Sequence, residues 1–332
     1  MRNGVSGIFQ LLDLGADPGT LGGIIGANEL VGADDIGIPS LLESSDLLQR
    51  RFILSFISGQ YSASHWAFVE GLQINRWNDA QIAGFASALP FRESTWQWLE
   101  KFNGVTRKEY WRRVPSFLRH PSLQELQTAV NSLTNVGRWY SAIRLLHFAL
   151  LDDVAAPSEY IAFVLESNSE TNDEMEKPDS SGQFTYAAQE LVKHLQNDKN
   201  FDRARLAHIE WRFLALLDPQ FGMVKPVALI AALESEPRSV VELLKAVYRG
   251  SHEVPRSEPM SEQDELRAQN ANRLLEGLCR LPGTREDKSL NCDALREWMK
   301  DVQRLSSEND RRDVGDLFLG QLIGRSSPRL DE

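Results

Sequence analysis

Cysteine is almost missing from this 332-residue sequence, with only Cys279 and Cys292 present. Two thiols are too few for a disulfide framework, and their spacing matches no metal motif. No apolar run approaches the length that crosses a bilayer. The opening segment, Met1-Arg2-Asn3-Gly4-Val5-Ser6-Gly7, has no signal-peptide core, and Asp13 and Asp17 follow it closely. Cytoplasm is therefore the expected compartment. Positive charge is also short: the formal net charge is -11. Such a chain repels phosphate backbones and anionic lipid, which argues against nucleic-acid and membrane partners.

Catalytic and cofactor signatures are equally scarce. None of the six histidines has another one helical turn away, as a zinc-protease helix requires. No Gly-x-Ser-x-Gly elbow occurs. Gly15-Ala16-Asp17-Pro18-Gly19-Thr20-Leu21-Gly22-Gly23 has the glycines of a phosphate loop but no lysine, so it reads as a turn and a closely packed helix. Asp34-Asp35, Asp152-Asp153 and Glu174/Glu176 are read as solvated charge, since acid catalysis needs a desolvated carboxyl. Cys279 is read as a small core residue. The sequence thus nominates no catalytic residue, no cofactor site and no metal ligand. Strand signals are nearly absent as well, with no alternating run and no glycine hairpin between β-branched segments.

What the sequence does have is helical periodicity. Trp139, Ala142, Ile143, Leu146 and Leu150 fall on one helix face, as do Leu123, Leu126, Val130 and Leu133 before them. Gly137 stands between the two runs where a left-handed C-terminal cap belongs, predicting an antiparallel pair with a tight turn. Further faces are Val240/Leu243/Leu244/Val247/Tyr248, Ala271/Leu274/Leu275/Leu278 and Leu295/Trp298/Met299/Val302/Leu305. The stretch 203–217 is apolar on nearly all sides and predicts a helix packed between neighbours. With 42% hydrophobic residues a sizeable core can form. The fold expected is all-α, an irregular α-solenoid of stacked antiparallel helix pairs without an exact repeat. It divides into an N-terminal array (1–167), an acidic flexible linker (168–183) and a C-terminal array (184–332). Loops are expected at 249–261, with Pro255 and Pro259, and at Leu281-Pro282-Gly283.

The one basic concentration is Arg107, Lys108, Arg112, Arg113, Arg119 and His120, interleaved with Tyr110, Trp111 and Phe117. Basic residues among aromatics can hold phosphate and stack a base. The alternative is that Trp111 and Val114 pack inward while the arginines stay in water, their stems covering apolar surface. Eight tryptophans are spread along the chain. Trp96 and Trp98 point to different helix faces, so one is expected to be more exposed, and an exposed tryptophan beside arginines makes a binding hot spot. Arg107, Lys108, Arg112, Arg113, Arg119 and Trp96 are the candidate partner-binding residues.

Several phrases carry a resemblance: Phe91-Arg92-Glu93-Ser94-Thr95-Trp96, Glu109-Tyr110-Trp111, Gly137-Arg138 with Ala142, Ala207-His208-Ile209-Glu210-Trp211, Glu236-Pro237 with residues 243–249, and Leu281-Pro282-Gly283. Together they cover much of 80–320 and resemble the C-terminal helical, tetratricopeptide-like regions of large bacterial signal-transducing NTPase and conflict-system proteins. The resemblance implies a sensing part that belongs with an upstream nucleotide-switch or effector domain, so that this chain is one piece of a longer protein. The motifs concern packing, and no functional residue carries over. The function expected is a non-enzymatic helical-repeat scaffold or sensor that binds a protein partner. The alternatives are a hydrolase with a site assembled from distant residues and a nucleic-acid binder using 107–120.

Overall fold

The computed structural model describes residues 4–167, 182–217, 224–235, 262–277 and 292–308. The protein is all-α: the described residues contain helices and connecting turns and no strand. Two compact units divide the chain, the first comprising Met1–Ala155 and the second the described residues from Ala156 onward. The expected linker 168–183, the apolar face of Val240 to Tyr248, both proline-bearing loops and Cys279 lie outside the described residues, apart from Gly182 and Gln183.

The first unit opens with α1 (Gly4–Asp13), α2 (Pro18–Ala27), α3 (Ala33–Ile36), α4 (Ile38–Leu42) and α5 (Leu47–Ser64). Helix α2 begins as its sequence dictates. The Asp17 carboxylate accepts the Thr20 amide at 2.7 Å, and Pro18 takes the first-turn position where an amide is not needed. Gly22 and Gly26, one turn apart, then bring α2 against the backbone of α5. A Cβ at Gly22 would lie 2.3 Å from the Phe52 carbonyl oxygen, and one at Gly26 would lie 2.3 Å from that of Phe56. From α5, Gly59 meets the Gly23 carbonyl in the same way, at 2.6 Å. One turn forward on α2 is one turn forward on α5, so these helices run parallel. Parallel neighbours need a long return, and α3 with α4 supplies it. This pair departs from the antiparallel packing the sequence predicts, because a glycine stripe rewards close backbone approach whatever the chain direction.

Around this contact the unit builds its core. Phe52, Ile53, Phe56 and Ile57 of α5 pack with Ile8 and Leu12 of α1, Ile25 of α2, and Ile38 and Leu42 of α4. Helix α6 (Trp66–Gly71), a 3-10 turn (Ile74–Arg76) and α7 (Asp79–Ser87) add Phe68, Val69, Ile82 and Phe85. Burial of such side chains stabilises by about 1.5–3 kcal/mol each before entropy is counted.

After α8 (Glu93–Leu99) and α9 (Gly104–Arg113) come α10 (Leu123–Asn135) and α11 (Trp139–Leu151), the predicted helix hairpin. Gly137 is left-handed (φ 83°). The Arg138 amide reaches the Leu133 carbonyl at 2.9 Å and the Gly137 amide the Thr134 carbonyl at 3.0 Å. That pair of bonds is a Schellman cap, which absorbs the last carbonyls of α10 and turns the chain back. Ser122 and Glu125 close the other end with a capping box.

In the second unit α12 (Ser158–Ser167), α13 (Gln183–Asn197), α14 (Arg203–Arg212) and α15 (Val227–Ser235) pack together. Arg205 on α14 holds the Glu166 carboxylate of α12 with two bonds of 2.7 Å. Helix α14 ends at Arg212, earlier than the apolar stretch 203–217 predicts. Phe213–Leu217 instead form a turn whose side chains at Phe213, Leu214 and Leu217 remain buried. Two carbonyls of that turn, Leu214 and Leu217, are taken by the buried Asn270 amide at 2.9 and 2.8 Å from the helix Glu262–Gly277. In the last described helix, Cys292–Glu308, Trp298 and Val302 are buried as the sequence face requires, whereas Met299 of the same predicted face is exposed.

Candidate interaction surface

Helix α9 carries most of the basic concentration, and its two faces differ sharply. Thr106 and Tyr110 are buried inside it, and Val114 is buried just beyond its end, each four residues from the next. Val105, Lys108 and Arg112, three and four residues apart on another face, point outward, and Val105 is 66% exposed.

Its position is fixed from the N-terminus. The Asn103 side chain accepts the amides of Val105 and Thr106 at 2.8 and 3.0 Å and donates to Asp79 on α7 at 2.8 Å. The Thr106 hydroxyl also donates to Asp79, and these bonds hold that carboxyl below its ordinary range. Nearby, Glu43 accepts from Asn78 and Gln81, each at 2.8 Å, so the end of α4 is tied to the start of α7. At the C-terminus of α9 the half-buried Arg138 guanidinium donates to the carbonyls of Trp111 (3.0 Å) and Val114 (2.7 Å). A cation at the negative end of a helix, satisfying two terminal acceptors, locks α9 to α11.

The structure separates the candidate residues. Arg107 pairs with Glu100. Arg113 pairs with Glu109, and Arg112 approaches the same carboxylate at 3.9 Å. Lys108 is exposed and has no ion pair among the described residues. Arg119 lies over the Phe117 ring, 5.7 Å from its centre. The exposed face is therefore less cationic than the sequence count implies, because Glu100 and Glu109 neutralise part of it.

Trp96 is corrected. It is only 6% exposed, its indole donates to the Tyr110 hydroxyl at 3.1 Å, and its ring packs on Phe91 and Trp111 at 5.2 and 5.4 Å. Burial pushes the Tyr110 phenol up, against the smaller opposing effect of that bond. Trp96 is a core aromatic in this structure and presents no surface to a partner. Trp98 is half-buried and packs on the core of the first unit.

Phe117, named in the sequence among the interleaved aromatics but not among the candidate binding residues, is the exposed aromatic of this surface. It is 51% exposed, held edge-on to Phe148 at 5.8 Å, and sits in the non-helical segment between α9 and α10. That segment is pinned at its far end. Arg92 donates to the Arg119 carbonyl at 2.6 Å and faces Glu125 at 3.6 Å, while the His120 amide donates to Asp152 at 2.7 Å. Pro115 and Pro121 bracket it, and prolines that stop the helical period were the available signal for an exposed loop.

This surface presents one aliphatic (Val105), one aromatic (Phe117), an ammonium without an ion pair among the described residues (Lys108) and two guanidiniums (Arg112 and Arg119) on a rigid frame. Such a set can make apolar and charge-assisted contacts. Among the described residues no group of three His, Cys, Asp or Glu could hold a metal ion, and no helix is long and apolar enough to cross a membrane. No family model, curated protein or solved structure matches the chain.

Proposed function

We propose that this protein is a helical scaffold or sensor module that docks a protein partner through α9 and the segment that follows it. The observation that carries the reading is the exposed Phe117 beside Arg119, held by Phe148 and by bonds at Arg119 and His120. A rigid, half-exposed aromatic next to a guanidinium is the kind of residue that supplies most of an interface's binding energy. Val105, Lys108 and Arg112 extend the surface along α9 and call for a partner with acidic groups around an apolar contact. Pairing of Arg107, Arg112 and Arg113 with this chain's own glutamates favours a protein surface over a phosphate backbone.

The arrangement we favour for the whole chain is an irregular α-solenoid, supported by the α10–α11 hairpin and the stacked helices of each unit, with the parallel α2–α5 pair as its least regular part. A sensing part of a bacterial signal-transducing or conflict-type protein remains the family proposal, resting on the packing phrases in 80–320.

Affinity capture with the full chain from the organism that encodes it, beside a Lys108→Glu/Arg112→Glu/Phe117→Ala variant, tests the docking reading. A partner retained by the parent and lost by the variant, at unchanged helicity and melting temperature, is the expected result. Equal retention by both proteins would remove this surface from the account.

A further inference from the structure

A second feature of the first unit points to a small ligand, independently of the docking face. Between the start of α4 and the 3-10 turn lies a cleft of about 280 Å3, lined by Gly37, Ile38, Pro39, Leu72, Gln73, Arg76 and Trp77. That volume lies just below the range for drug-sized ligands, about 300–1,000 Å3, and so suits only a small one. Its walls are of two kinds. Ile38, Pro39, Leu72 and the half-buried Trp77 make an apolar floor, and Trp77 is fixed by an edge contact to Phe85 at 5.3 Å. Arg76 and Gln73 supply the polar rim, and both are exposed.

Arg76 lacks an acid, as Arg50 and Arg119 do among the described residues of this unit. In the same unit Arg51 pairs with Asp17, Arg92 with Glu125, Arg107 with Glu100, and Arg113 with Glu109. Among the described residues Arg76 has no such counterion, and no hydrogen bond to its side chain or to that of Gln73 is made. A guanidinium and an amide at the rim of a half-open cleft with an indole in its floor match a planar acid joined to a flat apolar body. With such a ligand the fork of Arg76 would meet both carboxylate oxygens, and the indole and Leu72 would cover the rest.

We infer that the cleft formed by Gly37–Pro39, Leu72, Gln73, Arg76 and Trp77 binds a small aromatic carboxylate, with Arg76 as its counterion. The probe is 3-phenylpropionate, titrated into the full chain labelled with 15N at tryptophan. Comparison with a Trp77→Phe sample assigns the Trp77 indole signal. The expected result is a saturable shift of that signal with 3-phenylpropionate. The neutral amide of the same acid should bind about tenfold more weakly or worse, as loss of one charge-assisted pair requires. Arg76→Gln should weaken the acid by a similar factor and leave the amide unchanged. Inorganic phosphate and acetate, which have no apolar body, should leave the Trp77 signal in place. Absence of any saturable shift would overturn the inference. Equal binding of acid and amide, or an Arg76→Gln variant that binds the acid as well as the parent, would overturn it too, leaving at most an apolar crevice. None of these outcomes bears on the docking surface, which shares no residue with this cleft.

Discussion

Two adjacent glycines on α2 should respond in opposite directions to the same substitution. Gly22 faces the Phe52 carbonyl, where a Cβ would sit 2.3 Å from the oxygen, whereas a Cβ at Gly23 meets nothing within 4 Å. In Gly22→Ala the helices must separate by about 1 Å to restore ordinary contact, forfeiting a quarter to a half of each nearby dispersion contact. Overpacking of this kind costs about 1–3 kcal/mol, and here the obstacle is rigid backbone, so the upper half of that range applies. In Gly23→Ala only the helix preference for alanine operates, a gain of about 0.5–1 kcal/mol. For a unit of this size each kcal/mol moves the melting temperature by about 2–4 °C. Gly22→Ala should therefore melt about 4–12 °C lower and Gly23→Ala about 1–4 °C higher. Tryptophan fluorescence during heating is the assay, because six of the eight tryptophans belong to the first unit. Shifts of the same sign and size in both variants would refute the close parallel contact of α2 and α5.

Other substitutions test the remaining supports. Arg138→Met removes the donors to Trp111 and Val114 and should destabilise the first unit by about 1–3 kcal/mol in urea unfolding. Asp153→Gly should stabilise by up to about 1 kcal/mol, because Asp153 holds φ 56° in the cap that ends α11, where glycine is unstrained. Two glutamates of the second unit should show opposite pH dependence. Burial raises the Glu210 carboxyl above its ordinary 4.5, so its contribution is present below that value and fades as pH rises through the higher folded value. The hydrogen bond and charge of Arg205 lower Glu166, so its contribution is present above 4.5 and is lost as pH falls through the lower folded value. Parent stability measured against Glu210→Gln should thus decline with rising pH, and against Glu166→Gln it should decline with falling pH. Slopes of the same sign would contradict the assignment.

The helices were legible because most of them obey a single rule, apolar residues returning at three and four positions with caps at the breaks. Gly137 and the α10–α11 hairpin are the clearest case: one glycine between two faces specified both the turn and the chain reversal. What escaped was everything set by a partner distant in sequence. Glu210 falls in phase with Leu206 and Phe213, which should have flagged it as inward-facing. Yet the reason it can be buried is the Leu229 amide at the start of α15 and the Gln196 side chain, each 2.7 Å away. Glycine spacing on α2 announced close packing without saying against what or in which direction.

The candidate surface was half readable for the same reason. The basic residues of 107–120 are plain in the sequence, but their neutralisation by Glu100 and Glu109 depends on rotamers and helix ends. Trp96 looked exposable because Trp98 shares its helix. Tyr110, fourteen residues on, supplies the buried partner that draws the Trp96 indole inward.

The docking reading is tested most directly by hydrogen exchange on the full chain, with and without the captured partner. Slower exchange of backbone amides confined to 104–121 on adding the partner is the predicted outcome. Protection confined to another region, with 104–121 exchanging as in the free chain, would contradict it.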